Sequence, residues 1–190
     1  RLNTAVSGVE SAMDAYRFND AAQVIYDFFW NDFCDWYIEA SKSLLYSNSL
    51  EDQNRAVTLL LDILAESMRL MHPFLSFVTE EIYQKLPNTV GYVIGDAYPR
   101  FHEDRKFPEA EAKFSLFQEV VRKVRTLKSE FSLPPEKKVR IMVKADNNLA
   151  ELPYLIEQRE LIARFVNASE VLFHHETPVS LTGSVPVAGE

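Results

Sequence analysis

The chain has 190 residues, a net charge of −8, 47% hydrophobic residues and 12% aromatic residues. That much apolar material can bury a core and excludes intrinsic disorder, while only five glycines speak against a turn-rich all-β fold. The acidic balance excludes a uniformly basic surface but leaves room for a local basic stripe.

Cys34 is the only cysteine, so no internal disulfide and no multi-cysteine metal site can form, and a reducing, cytoplasmic setting fits. No apolar run approaches the ~18 residues of a membrane span, so no membrane association is expected. Arg1-Leu2-Asn3-Thr4 is unlike a signal peptide. The chain lacks a starting Met and a natural closing pattern, and we expect an excised piece of something longer.

In chain order, Leu2, Val6, Val9, Met13 and Tyr16 recur at helical spacing. Asn19 or Asp20 is expected to cap the next helix, whose wide stripe holds Val24, Ile25, Phe28, Phe29, Phe33, Trp36, Tyr37 and Ile38 and suits the centre of a bundle. Asp32, Asp35 and Glu39, spaced three and four apart, are expected to share a face with a compensating cation such as Lys42 or Arg55. Ser49 is expected to cap a third helix over about 51–71, with Val57, Leu60, Leu61, Leu64, Met68 and Met71 as its stripe. Pro73 should break it. A further helix from Phe74 to Leu86, an irregular stretch over 88–107 and a long helix from Glu109 to about Phe131 follow. Its apolar positions are Phe114, Phe117, Val120, Val121, Val124 and Leu127, and Pro134-Pro135 ends it. The pattern then changes to the period of two in 139–144, a strand, followed by a helical stretch over about 150–166 and two further strands at 171–173 and 179–187.

Between Arg122 and Lys144 there are eight cations against Glu130 and Glu136, which leaves +6 there and −14 elsewhere. Arg122, Arg125 and Lys128 fall along one helix face, and Lys137 and Lys138 follow in a turn. These five are the candidate RNA-binding residues: arginine forks grip phosphate oxygens and lysine adds point charge, holding RNA without reading its sequence. A solvated face paired with the abundant acids is the competing reading. Phe29, Phe33 and Trp36 read as core. Cys34 has no nearby histidine partner and reads as a structural thiol. His174 and His175 would point to opposite faces of a strand, a poor chelate. His72 reads as a helix-end cap. Glu80 and Glu81 are adjacent and do not face each other, so no catalytic carboxylate pair is expected.

Three stretches carry a resemblance. Trp30-Asn31-Asp32-Phe33-Cys34-Asp35-Trp36-Tyr37-Ile38-Glu39 resembles the anticodon-binding domain of valyl-tRNA synthetases. Met71-His72-Pro73-Phe74 with Phe77-Val78-Thr79-Glu80-Glu81-Ile82-Tyr83 is similar to the His-Pro helix break shared by the class I synthetases for Val, Ile and Leu. Ser76 stands where that family has Pro, a departure expected to straighten the chain locally. Val121-Arg122-Lys123-Val124-Arg125-Thr126-Leu127-Lys128, then Pro134-Pro135-Glu136-Lys137-Lys138, is similar to the Arg-rich helix and Pro-Pro turn that follow the bundle. The three run in family order over residues 1 to about 145.

The resemblance implies a mainly α fold. Residues 1–108 would be a helical anticodon-binding bundle lacking its first helix, and 109–190 a long helix plus a small α+β subdomain leading to a C-terminal coil that is not present. It implies a tRNA-binding module of an enzyme that attaches valine to its tRNA using ATP, held to a catalytic body of the same polypeptide in a cytoplasmic monomer. The ATP-binding signatures of the class (the His-Ile-Gly-His and Lys-Met-Ser-Lys-Ser types) do not occur here, nor does the Asn-Ala-x-Arg-Phe helix, so no cofactor, metal or catalytic residue is expected. The alternative is a helical scaffold that docks on the catalytic body and orients the coil with little RNA contact of its own. An independent hydrolase or transferase would need a convergent nucleophile and base, and the sequence offers none.

Overall fold

A computed structural model describes residues 1–87, 89–134, 136–144 and 150–174. The chain divides into two compact units, Arg1–Lys106 and a second that begins at Phe107.

In the first unit, α1 (Leu2–Asp14) and α2 (Phe18–Tyr26) pack closely. A Cβ on Gly8 would stand 3.2 Å from Val24 Cγ1, so glycine permits that approach. Tyr16 takes a positive φ of 56° and closes α1 with bonds from Tyr16 N to Met13 O at 2.9 Å and from Arg17 N to Ala12 O at 2.8 Å, the geometry that satisfies the last carbonyls of a helix. The expected cap at Asn19 or Asp20 is displaced. α2 starts at Phe18 with no side-chain cap bond, and Asp20 instead sits in the first turn, where the helix dipole favours a carboxylate, 3.6 Å from Arg17 Nη1.

From Tyr26 the helix continues as a π-helical segment, Asp27–Ile38, and then as α3 (Glu39–Leu45). The wider coil has a packing reason. Phe28 and Phe33 both enter the core cluster with Ala5. Five residues apart on an α-helix they would point about 140° away from each other, whereas i→i+5 bonding narrows that angle. The three acids therefore do not form one face. Asp32 pairs with Arg1, Asp35 is exposed, and Glu39 Oε2 lies 2.5 Å from Lys42 Nζ. Arg55 goes to Glu51 at 3.0 Å.

α4 (Leu50–Met71) starts as expected, with Ser49 Oγ accepting from Asp52 N at 3.2 Å. Met68 and Met71 are buried and Leu60, Leu61 and Leu64 half-buried, but Val57 is exposed. After Pro73 the backbone folds into a turn, Phe74 N and Leu75 N both donating to Met71 O at 2.9 and 3.0 Å. α5 (Ser76–Tyr83) is shorter than the helix expected over 74–86, and tighter bonds from Lys85 N and Leu86 N finish it. Ser76 does not straighten the chain: its Oγ donates to His72 O at 2.9 Å across the break.

His72 does not cap the α4 carbonyls. Its Nδ1 lies 2.8 Å from Thr79 Oγ1, and Thr79 is fully buried. Thr79 Oγ1 also lies 2.9 Å from Leu75 O and 3.2 Å from Ser76 O, and its hydrogen bond with His72 ties the two sides of the break. The stretch after α5 makes 3-10 turns at Val93–Gly95 and Glu103–Arg105. Asn3 exchanges two bonds with the His102 backbone, both 2.8 Å, anchoring this stretch to α1.

In the second unit, α6 (Pro108–Glu130) opens with proline in its first turn, where the missing N–H costs nothing. Phe117, Val120 and Val121 are buried. Phe117 stacks on Phe114 with centroids 5.4 Å apart and meets Phe165 edge-on at 5.5 Å. β1 (Val139–Lys144) pairs in parallel with β2 (Ala168–His174), from Arg140 opposite Glu170 to Lys144 opposite His174. Parallel strands need a crossover. α7 (Leu152–Glu157) and α8 (Arg159–Phe165) supply it, replacing the single helix expected over 150–166. The strand expected at 179–187 lies outside the described residues, as do His175 and the side chain of His174.

Candidate nucleic-acid interface

The basic run occupies the C-terminal half of α6, the turn after Pro134 and β1. Arg122 is exposed on α6, and Lys137, Lys138, Arg140 and Lys144 are exposed beyond it. Lys137 sits in a turn closed by its own N–H donating to Pro134 O at 2.9 Å.

Arg125 and Lys128 have a different setting. Arg125 Nε and Nη2 donate to the Phe165 carbonyl at 3.3 and 2.9 Å, and the guanidinium stands 5.9 Å from the Phe165 ring centroid. Lys128 Nζ donates to Lys137 O and to Val166 O, both at 3.1 Å. α6 and α8 end at this point, and the last carbonyls of a helix lack partners and carry partial negative charge. Two positive-φ residues, Ser132 at 50° and Asn167 at 49°, turn the chain away from these ends. Arg125 and Lys128 thus answer the negative end of α8 and join α6, the backbone of Lys137 and the α8–β2 junction.

The cavity they border, about 510 Å³, also takes in Ser129, Ser132 and Asn167. A phosphate there would lie against the Phe165 and Val166 carbonyl oxygens. Of the five residues named from sequence, the structure brings Arg125, Lys128 and the backbone of Lys137 together. Arg122 and the Lys137 and Lys138 side chains are presented on the surface, and Arg125 is exposed as well. The sequence could not give this, because the acceptors are separated from Arg125 and Lys128 by up to 40 residues.

Burial pushes the Cys34 thiol up, and Asp35 adds to the shift, so it is a poor nucleophile at neutral pH. Glu80 accepts from Val93 N at 3.1 Å, while Glu81 pairs with Lys85 at 2.6 Å; they serve separate partners. Among the described residues no cluster of His, Cys, Asp and Glu could hold a metal ion, and no helix is long and apolar enough to cross a membrane. Trp36 is buried in the bundle at 6% exposure. One feature of the first unit was not legible in advance: an apolar recess of about 490 Å³ between α2, the π segment, the end of α4 and α5, bordered by Tyr26 and Trp30.

Comparison with known proteins bears on these features. The family of the anticodon-binding domain of tRNA ligase matches residues 1–143. A valine–tRNA ligase of Treponema denticola is 40% identical over 155 residues, covering 77% of this chain and 17% of that protein. One from Borreliella burgdorferi is 34% identical over 189 residues, 100% of this chain and 22% of its own length. One from Thermotoga maritima is 38% identical over 179 residues, 94% and 20% respectively. The chain spans about a fifth of the length of the curated relatives it matches.

Proposed function

The chain belongs to the family of the anticodon-binding domain of tRNA ligase, and from that membership we propose that it is the tRNA-holding, anticodon-side module of a valine–tRNA ligase. The observation that carries this reading is the family match over 1–143, with valine–tRNA ligases as relatives that cover 77% and 100% of the chain. In the whole enzyme, valine activation with ATP would belong to a catalytic body on the same polypeptide, in a cytoplasmic monomer. This chain would contribute grip and placement.

The grip is electrostatic in this reading. Exposed Arg122, Lys137 and Lys138 would meet phosphates, in a chain whose remaining surface is acidic and would keep RNA from binding elsewhere. Lys128 would contribute by tying the backbone of Lys137 to α6, and Arg125 by tying the end of α8 to it. Their engagement with main-chain carbonyls also favours the scaffold reading, in which the second unit orients neighbouring parts of the enzyme and touches RNA little.

A titration with valine tRNA at two salt concentrations, beside a non-cognate tRNA, separates the two. Salt-sensitive binding supports the RNA-holding module, and a preference for the cognate tRNA would place base reading within this bundle. Absence of binding at low salt would overturn it in favour of the scaffold.

A further inference from the structure

β1 and β2 form a parallel sheet of two strands, and parallel sheets are ordinarily covered on both faces. Here the two faces differ. The register sets Ile141 beside Val171 and Val143 beside Phe173, with Val171 buried, an apolar side suited to α8, which packs against β2. Side chains of a strand alternate between faces. The other face therefore carries Arg140 beside Glu170 and Met142 beside Leu172, with Lys144 at its end. Arg140, Lys144 and Glu170 are exposed, and Met142 and Leu172 are half-buried between them. Among the described residues this face stays open to solvent.

Charge selects its occupant. Lys137 and Lys138 are exposed immediately ahead of β1. The turn and the open face together hold four cations, Lys137, Lys138, Arg140 and Lys144, against two acids, Glu136 and Glu170, in a chain whose net charge is −8. Among the described residues no ion pair joins Glu170 to Arg140 or Lys144, so both cations are available to a partner. They stand four residues apart on one strand, about 13 Å, a length over which a nucleic-acid strand presents several phosphates. The described side chains of the face include no aromatic ring on which an unstacked base could lie. What they offer is a grip on the backbone that carries no sequence information.

We propose that the open face of the β1–β2 sheet is an RNA-backbone contact, in which Arg140 and Lys144 take phosphates of the tRNA and continue the exposed turn of Lys137 and Lys138. The proposal rests on the reading of this chain as an RNA-holding module. It adds two phosphate-binding residues outside the α6 face and the turn, and the sheet surface that presents them.

The test titrates the 190-residue chain with tRNA over a range of salt concentrations, with and without the double substitution Arg140→Gln and Lys144→Gln. Each phosphate contact removed lowers the slope of log affinity against log salt by roughly 1, so the pair should lower it by roughly 2, equally for valine tRNA and a non-cognate tRNA. A urea midpoint equal to that of the unaltered chain shows that the fold is kept. Glu170→Gln removes the acid opposite Arg140 and should tighten binding of both tRNAs. In the unaltered chain, acetylation of Lys144 by an amine-reactive ester, followed by mass spectrometry, should slow about tenfold with tRNA at ten times its Kd. An unchanged slope, or a Lys144 equally reactive with and without tRNA, would overturn the proposal while leaving the RNA-holding reading to other residues. A slope lowered for valine tRNA alone would overturn the base-independent grip. Lys144 already shielded in the tRNA-free full-length ligase would overturn it in favour of a covering protein surface. Absence of salt-sensitive binding by the unaltered chain would sink the RNA-holding reading and this proposal with it.

Discussion

Arg125 holds Phe165 in two ways, through two hydrogen bonds to its carbonyl at 3.3 and 2.9 Å and through a guanidinium 5.9 Å from its ring centroid. The ring in turn packs edge-on against Phe117, 5.5 Å away in the core of the second unit. A side chain that reads as an RNA contact in the sequence therefore reaches the hydrophobic core through one residue.

Arg125→Ala should lower the stability of the second unit by about 1.5–3 kcal/mol, the range for hydrogen bonds to a charged group. Arg125→Lys should recover only part of this, since one ammonium cannot reproduce the fork. Urea denaturation measures both. A change under about 0.5 kcal/mol, the level of an ordinary surface substitution, would show the clamp to be incidental.

Lys137→Ala and Lys138→Ala lie on the other side of the distinction. Both side chains are exposed, and the Lys137 contact to Lys128 is made by its backbone carbonyl, so the substitution leaves it in place. Each should reduce the salt dependence of tRNA binding by a slope of roughly 1 with the urea midpoint unchanged, and Arg122→Ala should reduce that slope by a similar amount. Unaltered slopes in all three would move RNA contact off this face.

Much of the fold was legible because it rests on local rules. The periodicity of α4 and α6, the Ser49 cap, the break at Pro73 and the alternation of β1 each need only a few neighbouring residues to be seen. The π segment was not legible, because a shift of hydrogen bonding by one residue leaves the apolar content unchanged, and it is tertiary packing of Phe28 with Phe33 that selects it. The candidate site was legible as charge but not as role. Whether Arg125 faces phosphate or a carbonyl is decided by where α8 ends, which the helix pattern of α6 does not contain.

The two tryptophans separate core from recess. Trp36 is buried at 6% exposure and Trp30 is 51% exposed. Trp36→Ala should cost about 3–5 kcal/mol, as for a large aromatic removed from a packed interior. Trp30→Ala in the isolated chain should cost about 1 kcal/mol or less. Denaturant midpoints check both, and equal losses would contradict the division between the buried and recess faces of the π segment.

One hydrogen bond should contribute to the pH dependence of the first unit on both its acid and its alkaline flank. Tyr83 donates its hydroxyl to Asp96 Oδ2, Ala97 N donates to Asp96 Oδ1 at 2.8 Å, and Arg69 Nη1 lies 3.5 Å from Oδ2. The Tyr83 hydrogen bond, then the Ala97 N–H and the nearby Arg69, hold the Asp96 carboxyl below its ordinary 3.8. A depressed carboxylate stabilises the fold above its unfolded value, and that contribution is lost as pH falls below about 4 toward the folded value. Tyr83 moves the other way: burial, the Asp96 hydrogen bond and the Asp96 charge push it above its ordinary 10.0, so its contribution is present at neutral pH and is lost as pH rises beyond 10 through the folded value. The urea midpoint followed against pH should therefore fall on both flanks. Asp96→Asn should flatten the acid flank and reduce the alkaline one, because the carboxylate that raises Tyr83 is gone, whereas Tyr83→Phe should abolish the alkaline contribution and weaken the acid one. An acid flank unaltered by both substitutions would assign it to other carboxylates and leave the Tyr83–Asp96 bond without weight in the stability of the loop that it closes.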